Sequence, residues 1–116
     1  MFHGQLLIQS TTRVFSPWFP RQGDDFKPTV EVIDIKRTAG DFKVHVFTKS
    51  SETTGNGTNA DATLSLSLQA AGTDSAIWQG KVNELVRYQF DLSTMGSGDW
   101  VLFRMLDPVW YDAVKA

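Results

Sequence analysis

Between residues 62 and 69 leucine alternates with serine or threonine, so Leu64, Leu66 and Leu68 fall on one side of an extended chain and the hydroxyls on the other. Successive side chains of a strand point to opposite faces, so a period of two predicts a strand with one dry face and one wet face. Residues 42–48 repeat the pattern, with Phe42, Val44 and Val46 opposite Lys43, His45 and Phe47; Phe47 interrupts an otherwise polar face. In residues 85–91 the apolar set is Val86, Tyr88 and Phe90, opposite Arg87 and Gln89. Residues 29–35 change phase midway. Val30 and Val32 share one face while Ile33 and Ile35 share the next, which predicts a bulge or a strand covered on both sides. Residues 100–105, Trp-Val-Leu-Phe-Arg-Met, read as a central strand buried on both faces. Shorter candidates lie at 5–9, 12–15, 77–82 and 109–113, and residues 111–116 read as a last strand or a single turn.

Turn chemistry separates these segments. Thr38-Ala39-Gly40-Asp41 is a hairpin-sized turn, and residues 93–99 form a longer glycine-rich connection. Turn signals return about every ten residues, the spacing of sandwiches and barrels. No long window keeps a helical apolar stripe, and the connections are too brief for helical crossovers, so the strands must pair mainly antiparallel. The expectation is an all-β fold, an antiparallel β-sandwich of jelly-roll or immunoglobulin-like type with about eight short strands. With 116 residues, no internal repeat and no linker, residues 1–116 read as one domain around one core.

Two stretches depart from the pattern. In residues 15–26 Pro17 and Pro20 cannot donate to a ladder, while Phe15, Trp18 and Phe19 crowd together and Phe26 closes the segment. So oily a loop must be covered. Either it plugs an open end of the sandwich, or it stands exposed as an anchor for another subunit or a ligand. Residues 49–61 are the opposite, small and polar with no apolar anchor, and predict mobility unless neighbouring copies or a hairpin extension pin the loop.

Composition then restricts the chemistry. An apolar fraction of 41%, a charged fraction of 21% and a net charge of -2 describe a globular protein. A pI near 5.5 opposes a nucleic-acid footprint, and the longest basic cluster is Lys36-Arg37. Charge is uneven, net +2 over residues 1–49 and net -4 over residues 50–116, which favours head-to-tail contact between copies. Without cysteine there is neither a disulfide framework nor a thiolate zinc site. The first residues carry no basic leader, and no apolar run is long enough to span a bilayer. The reading is a soluble chain of cytoplasmic synthesis, with a virion or particle surface as the candidate location.

A nucleophilic triad needs a histidine, and the two present, His3 and His45, read as surface or edge residues. Asn56, Asn59 and Asp61, or Asp24 with Asp25, offer oxygen ligands but miss the spacing and closing glutamate of a calcium loop. Nothing sets two of the acids apart for glycoside hydrolysis, and no glycine-rich strand-to-helix turn is present to hold a nucleotide. No catalytic residue, cofactor or metal is expected. Trp78 and Trp100 sit within strand patterns and read as core; Trp18, and Trp110 beside Tyr111, read as the surface pair.

These features predict a non-enzymatic structural or assembly domain, a repeating subunit of a homo-oligomeric shell, fibre or virion-like particle. Its contacts would come from Phe15, Trp18, Phe19, Phe26, Trp110 and Tyr111, and its partners would be copies of itself or other structural proteins. The competing expectation is a small carbohydrate-binding module that stacks a glycan on Trp18, Trp110 and Tyr111.

Overall fold

A computed structural model describes residues 5–9 and 12–112. Among the described residues there are eleven strand segments and no helix: β1 Leu6–Gln9, β2 Arg13–Phe15, β3 Phe19–Pro20, β4 Asp25–Lys36, β5 Phe42–Lys49, β6 Thr58–Asn59, β7 Leu66–Leu68, β8 Gly72–Ser75, β9 Trp78–Gln79, β10 Leu85–Asp91 and β11 Trp100–Tyr111. No helix is therefore long and apolar enough to cross a membrane.

The strands form two antiparallel sheets packed face to face. One runs β1-β11-β4-β8, and β9 pairs with β4 beyond the end of β8; the other runs β2-β10-β5-β6, with β3 following β2 along β10 and β7 lying beside β5. Three of the four edges are shared by two short strands, so the segments fill eight strand positions. Numbered along the chain, these positions lie in the order 1-8-3-6 in one sheet and 2-7-4-5 in the other. The sandwich expected from the period-two pattern is present.

The interior is formed by the alternating sets. Phe42, Val44 and Val46 of β5 and Val86, Tyr88 and Phe90 of β10 face Phe26, Val30 and Val32 of β4 and Val101, Phe103 and Met105 of β11. Phe103 lies 4.7 Å from Phe42 and 4.8 Å from Phe90 between ring centroids, which joins the sheets across the centre. Each such side chain stabilises the fold by about 1.5–3 kcal/mol relative to exposure.

The phase change in β4 is a bulge. Phe103 pairs with Val32 and Leu102 with Asp34, so Ile33 is the extra residue and stands exposed while Ile35 returns to the core. A second irregularity, at Asp107 and Pro108, joins the segments expected at 100–105 and 109–113 into one strand. Residues beyond 112 lie outside the described ones. This second bulge changes parity: Trp110 turns inward onto Phe26, 4.7 Å between centroids, while Val109 and Tyr111 turn out. The tryptophans are thus redistributed. Trp78 is buried as expected, but Trp100 occupies an outward position and is only half-buried, and Trp110 covers the end of the core.

Two local expectations fail. Only Leu66–Leu68 of residues 62–69 is strand, because Asp61 folds the preceding segment into a turn: its carboxylate accepts from the Thr63 amide at 3.1 Å and hydroxyl at 2.7 Å, and its carbonyl from the Leu64 amide. The 38–41 turn is not a hairpin. Both sides of β4 are taken, by β11 and by β8 with β9, so the chain crosses to the other sheet to form β5. Asp99 holds this arch, accepting from the amide of Thr38 at 2.9 Å, the hydroxyl of Thr38 at 2.9 Å and the amide of Gly96 at 2.7 Å. Gly40 is left-handed here at φ 65°, and a Cβ would strike the Thr94 carbonyl oxygen at 2.0 Å.

Candidate functional site

The eight positions place β1 and the β2–β3 edge on the same side of the sandwich, and there the two sheets gape. On β1 the inward side chains are Leu6 and Ile8, paired across from Phe103 and Val101; on β2 the inward one is Val14, paired across from Phe90. None is covered completely, and Val14 is 40% exposed although it points between the sheets. The opening is a groove of about 540 Å³ lined by these residues with Thr12, Phe15, Pro17 and Phe90. Around the rim of β1, Leu7 is 59% exposed and adjoins half-buried Trp100 and Leu102 on the outer surface of its sheet, above a smaller hollow of about 270 Å³. Apolar surface therefore flanks β1 on both sides.

The opposite edges are guarded differently. β8, Gly-Thr-Asp-Ser, is polar and carries Asp74; β6 has two residues, Thr58 and Asn59. Short and charged edges discourage strand addition, whereas β1, Leu-Leu-Ile-Gln, has neither proline nor charge.

A second feature lies on the outer face of the β2-β10-β5-β6 sheet. Register brings Phe15 of β2, Arg87 of β10, and Phe47 and Lys49 of β5 onto this face, and Trp18 follows from the loop after β2. Arg87 lies over two rings, its guanidinium carbon 3.7 Å from the centroid of Phe15 and 4.4 Å from that of Trp18. Lys49 Nζ is 4.6 Å from the Trp18 ring, and Phe47 meets Phe15 edge-on at 5.3 Å. The 50–57 segment closes over this cluster: Lys49 Nζ donates to the Gly55 carbonyl at 3.2 Å and Arg87 Nη2 to the Asn56 carbonyl at 3.1 Å. Gly57 passes so close that a Cβ would sit 2.9 Å from Trp18, at a φ of 72° that favours glycine in any case. Residues 49–61, expected to be mobile unless pinned, are tied to the sheet by two cations of the same chain. Arg87 is 9% exposed, its Nε is buried without a hydrogen-bond partner, and burial lowers its pKa.

Further along the same face Asp91 accepts from His45 Nε2 at 3.1 Å and lies 3.4 Å from Arg13 Nε. Burial works to raise the pKa of this carboxyl, but hydrogen bonds from Ser93, the His45 contact and the charge of Arg13 outweigh it and hold it below the usual range. Among the described residues no hydroxyl is hydrogen-bonded to His45.

The six residues singled out from sequence separate in space. Phe19 and Phe26 are core, 8% and 0% exposed, packed on Tyr88 at 5.4 and 6.0 Å, so neither serves as an external contact: the Pro-bounded segment acts as a plug at that point. Trp110 lies half-buried over Phe26. Phe15 and Trp18 lie together on the outer face, and Tyr111 is exposed on the other sheet. No ring contact joins Trp18 to Trp110. Of the oxygen-ligand candidates, Asn59 accepts from the Asp61 amide at 3.2 Å, Asp61 serves Thr63 and Lys81, and Asp25 accepts from the Gly80 amide at 3.0 Å. His3 lies outside the described residues.

Sequence reasoning missed the groove and the Arg87 site. The phase-breaking Phe47 on a polar face was the one available signal for the second; partly covered edge side chains leave no mark on a linear pattern. No protein-family model matches this chain, and no curated protein matches it.

Proposed function

We propose that this chain is a non-enzymatic assembly domain that docks copies of itself through its open edge. The observation that carries the reading is the apolar groove between β1 and β2, flanked by exposed Leu7 and Val14 and bordered by an unguarded edge strand. An antiparallel edge is self-complementary in hydrogen bonding: β1 of one copy can extend the ladder of another, and a two-fold pairing buries Leu7 on both partners at once. The order 1-8-3-6 over 2-7-4-5 is compatible with the jelly-roll arrangement, an architecture used in capsid subunits and also in lectins, so fold analogy agrees with a shell subunit without selecting it.

The glycan-platform reading draws less support. Trp18 already carries Arg87 and Lys49 on its ring, Trp110 is packed on Phe26, and the two tryptophans do not share a surface.

Light scattering coupled to size exclusion tests the proposal. The wild-type chain is expected to form a dimer or larger particle, and Leu7→Lys with Val14→Lys to leave a folded monomer, because both positions are exposed in the free subunit and the lysines block only pairing. A wild-type monomer at high concentration, or an oligomer indifferent to both lysines, overturns it.

A further inference from the structure

We propose that Arg87 and Lys49 form a binding site for a phosphate monoester, on the outer face of the β2-β10-β5-β6 sheet and adjoining the docking groove at Phe15. The two cations lie over one indole, that of Trp18. Among the described residues no carboxylate lies within ion-pair distance of either, and their charged groups donate only to the neutral carbonyls of Asn56 and Gly55. Two cations on one ring repel each other, and an arginine residue that is nine-tenths buried has lost much of its hydration. Its Nε, dry and unpartnered, is a donor awaiting an acceptor.

The missing component is an anion, and the charge count selects its class. Two uncompensated positive charges match a phosphate monoester, which carries about -1.5 to -2 near neutral pH and presents three strong acceptor oxygens. The planar fork of an arginine takes two such oxygens and a lysine takes the third as a point charge. The Asn56 and Gly55 carbonyls are weaker acceptors than an anion, and they belong to the exposed 51–56 segment, so a ligand displaces the loop without disturbing the sheet. Phe15 and Trp18 fix the guanidinium plane before the ligand arrives.

The test is a titration of the full chain with inorganic phosphate at constant ionic strength, read by tryptophan fluorescence and by the thermal midpoint. Glucose 6-phosphate and acetate are run in parallel. Saturable binding is expected, with a midpoint rise of about 5 °C at roughly ten times the dissociation constant. Binding should weaken about tenfold or more in Lys49→Met and in Arg87→Met, since each removes a charged hydrogen-bonding partner of the anion. Glucose 6-phosphate binding as well as inorganic phosphate identifies a monoester site; inorganic phosphate binding alone overturns the monoester assignment. Should Arg87→Met fail to fold, the Nε–H resonance of Arg87 in the wild-type chain decides, because phosphate must shift it. No saturation, unchanged affinity in Lys49→Met, an unmoved Nε–H signal, or acetate as effective as phosphate each overturns the proposal. Neither Arg87 nor Lys49 lines the groove, so this proposal can fail while the docking proposal stands.

Discussion

At the scale of single residues the fold depends on a few polar groups placed where the chain changes sheet. Asp99 is the clearest. It is fully buried, and the amide of Thr38 above all, against some desolvation and with the amide of Gly96 and the hydroxyl of Thr38 assisting, holds its carboxyl below the ordinary value of 3.8. A carboxyl with a folded-state pKa below its unfolded one contributes stability that is complete above the unfolded pKa and is lost as pH falls through the folded pKa. Asp99→Asn is therefore expected to unfold at lower urea than wild type at pH 7, and the two midpoints should converge as pH falls below the ordinary carboxyl value of 3.8 and Asp99 becomes protonated in the folded chain. A constant gap across that range would assign the loss to packing instead of charge. This role was not legible in the sequence: an aspartate after Gly-Ser-Gly reads as turn chemistry, and its partner Thr38 lies 61 positions away. Arg87 was hidden for a related reason, since alternation assigned it correctly to the outer face but could not reveal the two rings that cover it there.

At the scale of elements, period-two alternation identified what it measures. β5 and β10 follow the expected faces residue by residue, and the phase slip in residues 29–35, which predicts a bulge or a strand covered on both faces, is a bulge at Ile33. Alternation fails where local side-chain bonds compete with the ladder, as at Asp61, and where a bulge lies in a segment too polar to display its phase, as at Asp107-Pro108. It is also silent about which strands pair, so a turn of hairpin size at 38–41 can be, as here, an arch between sheets. The bulge gives neighbouring residues opposite fates. Ile33→Thr, on the exposed extra residue, is expected to change stability by no more than about 0.5 kcal/mol, whereas Val32→Thr, which buries a hydroxyl in the core, should cost about 1–3 kcal/mol. Chemical denaturation of both variants checks this; equal costs would mean that Ile33 is covered in solution.

At the scale of the whole molecule, the two stacked sheets implied by the sequence are present, but most of the aromatic surface expected to need an outside cover is covered within the chain. Phe19 and Phe26 fill the core, Trp110 caps it, and Trp18 is covered by two cations. Aliphatic surface is left uncovered where β1 and β2 face each other across the open edge, while Tyr111, Val109 and Ile77 stand exposed elsewhere. A one-dimensional pattern predicts short strands at 5–9 and 12–15 without stating that they are edges, so it cannot show that Leu6, Ile8 and Val14 are left partly uncovered. Their incomplete burial is the physical basis for the proposed self-association.

The most direct measurement is amide hydrogen exchange of residues 6–9 and 13–15 in dilute and in concentrated solution. If copies add strand to strand at this edge, protection of the outward-facing β1 amides should rise with concentration while that of β5 and β10 stays constant. Exchange at β1 that is rapid and independent of concentration would contradict docking at this edge.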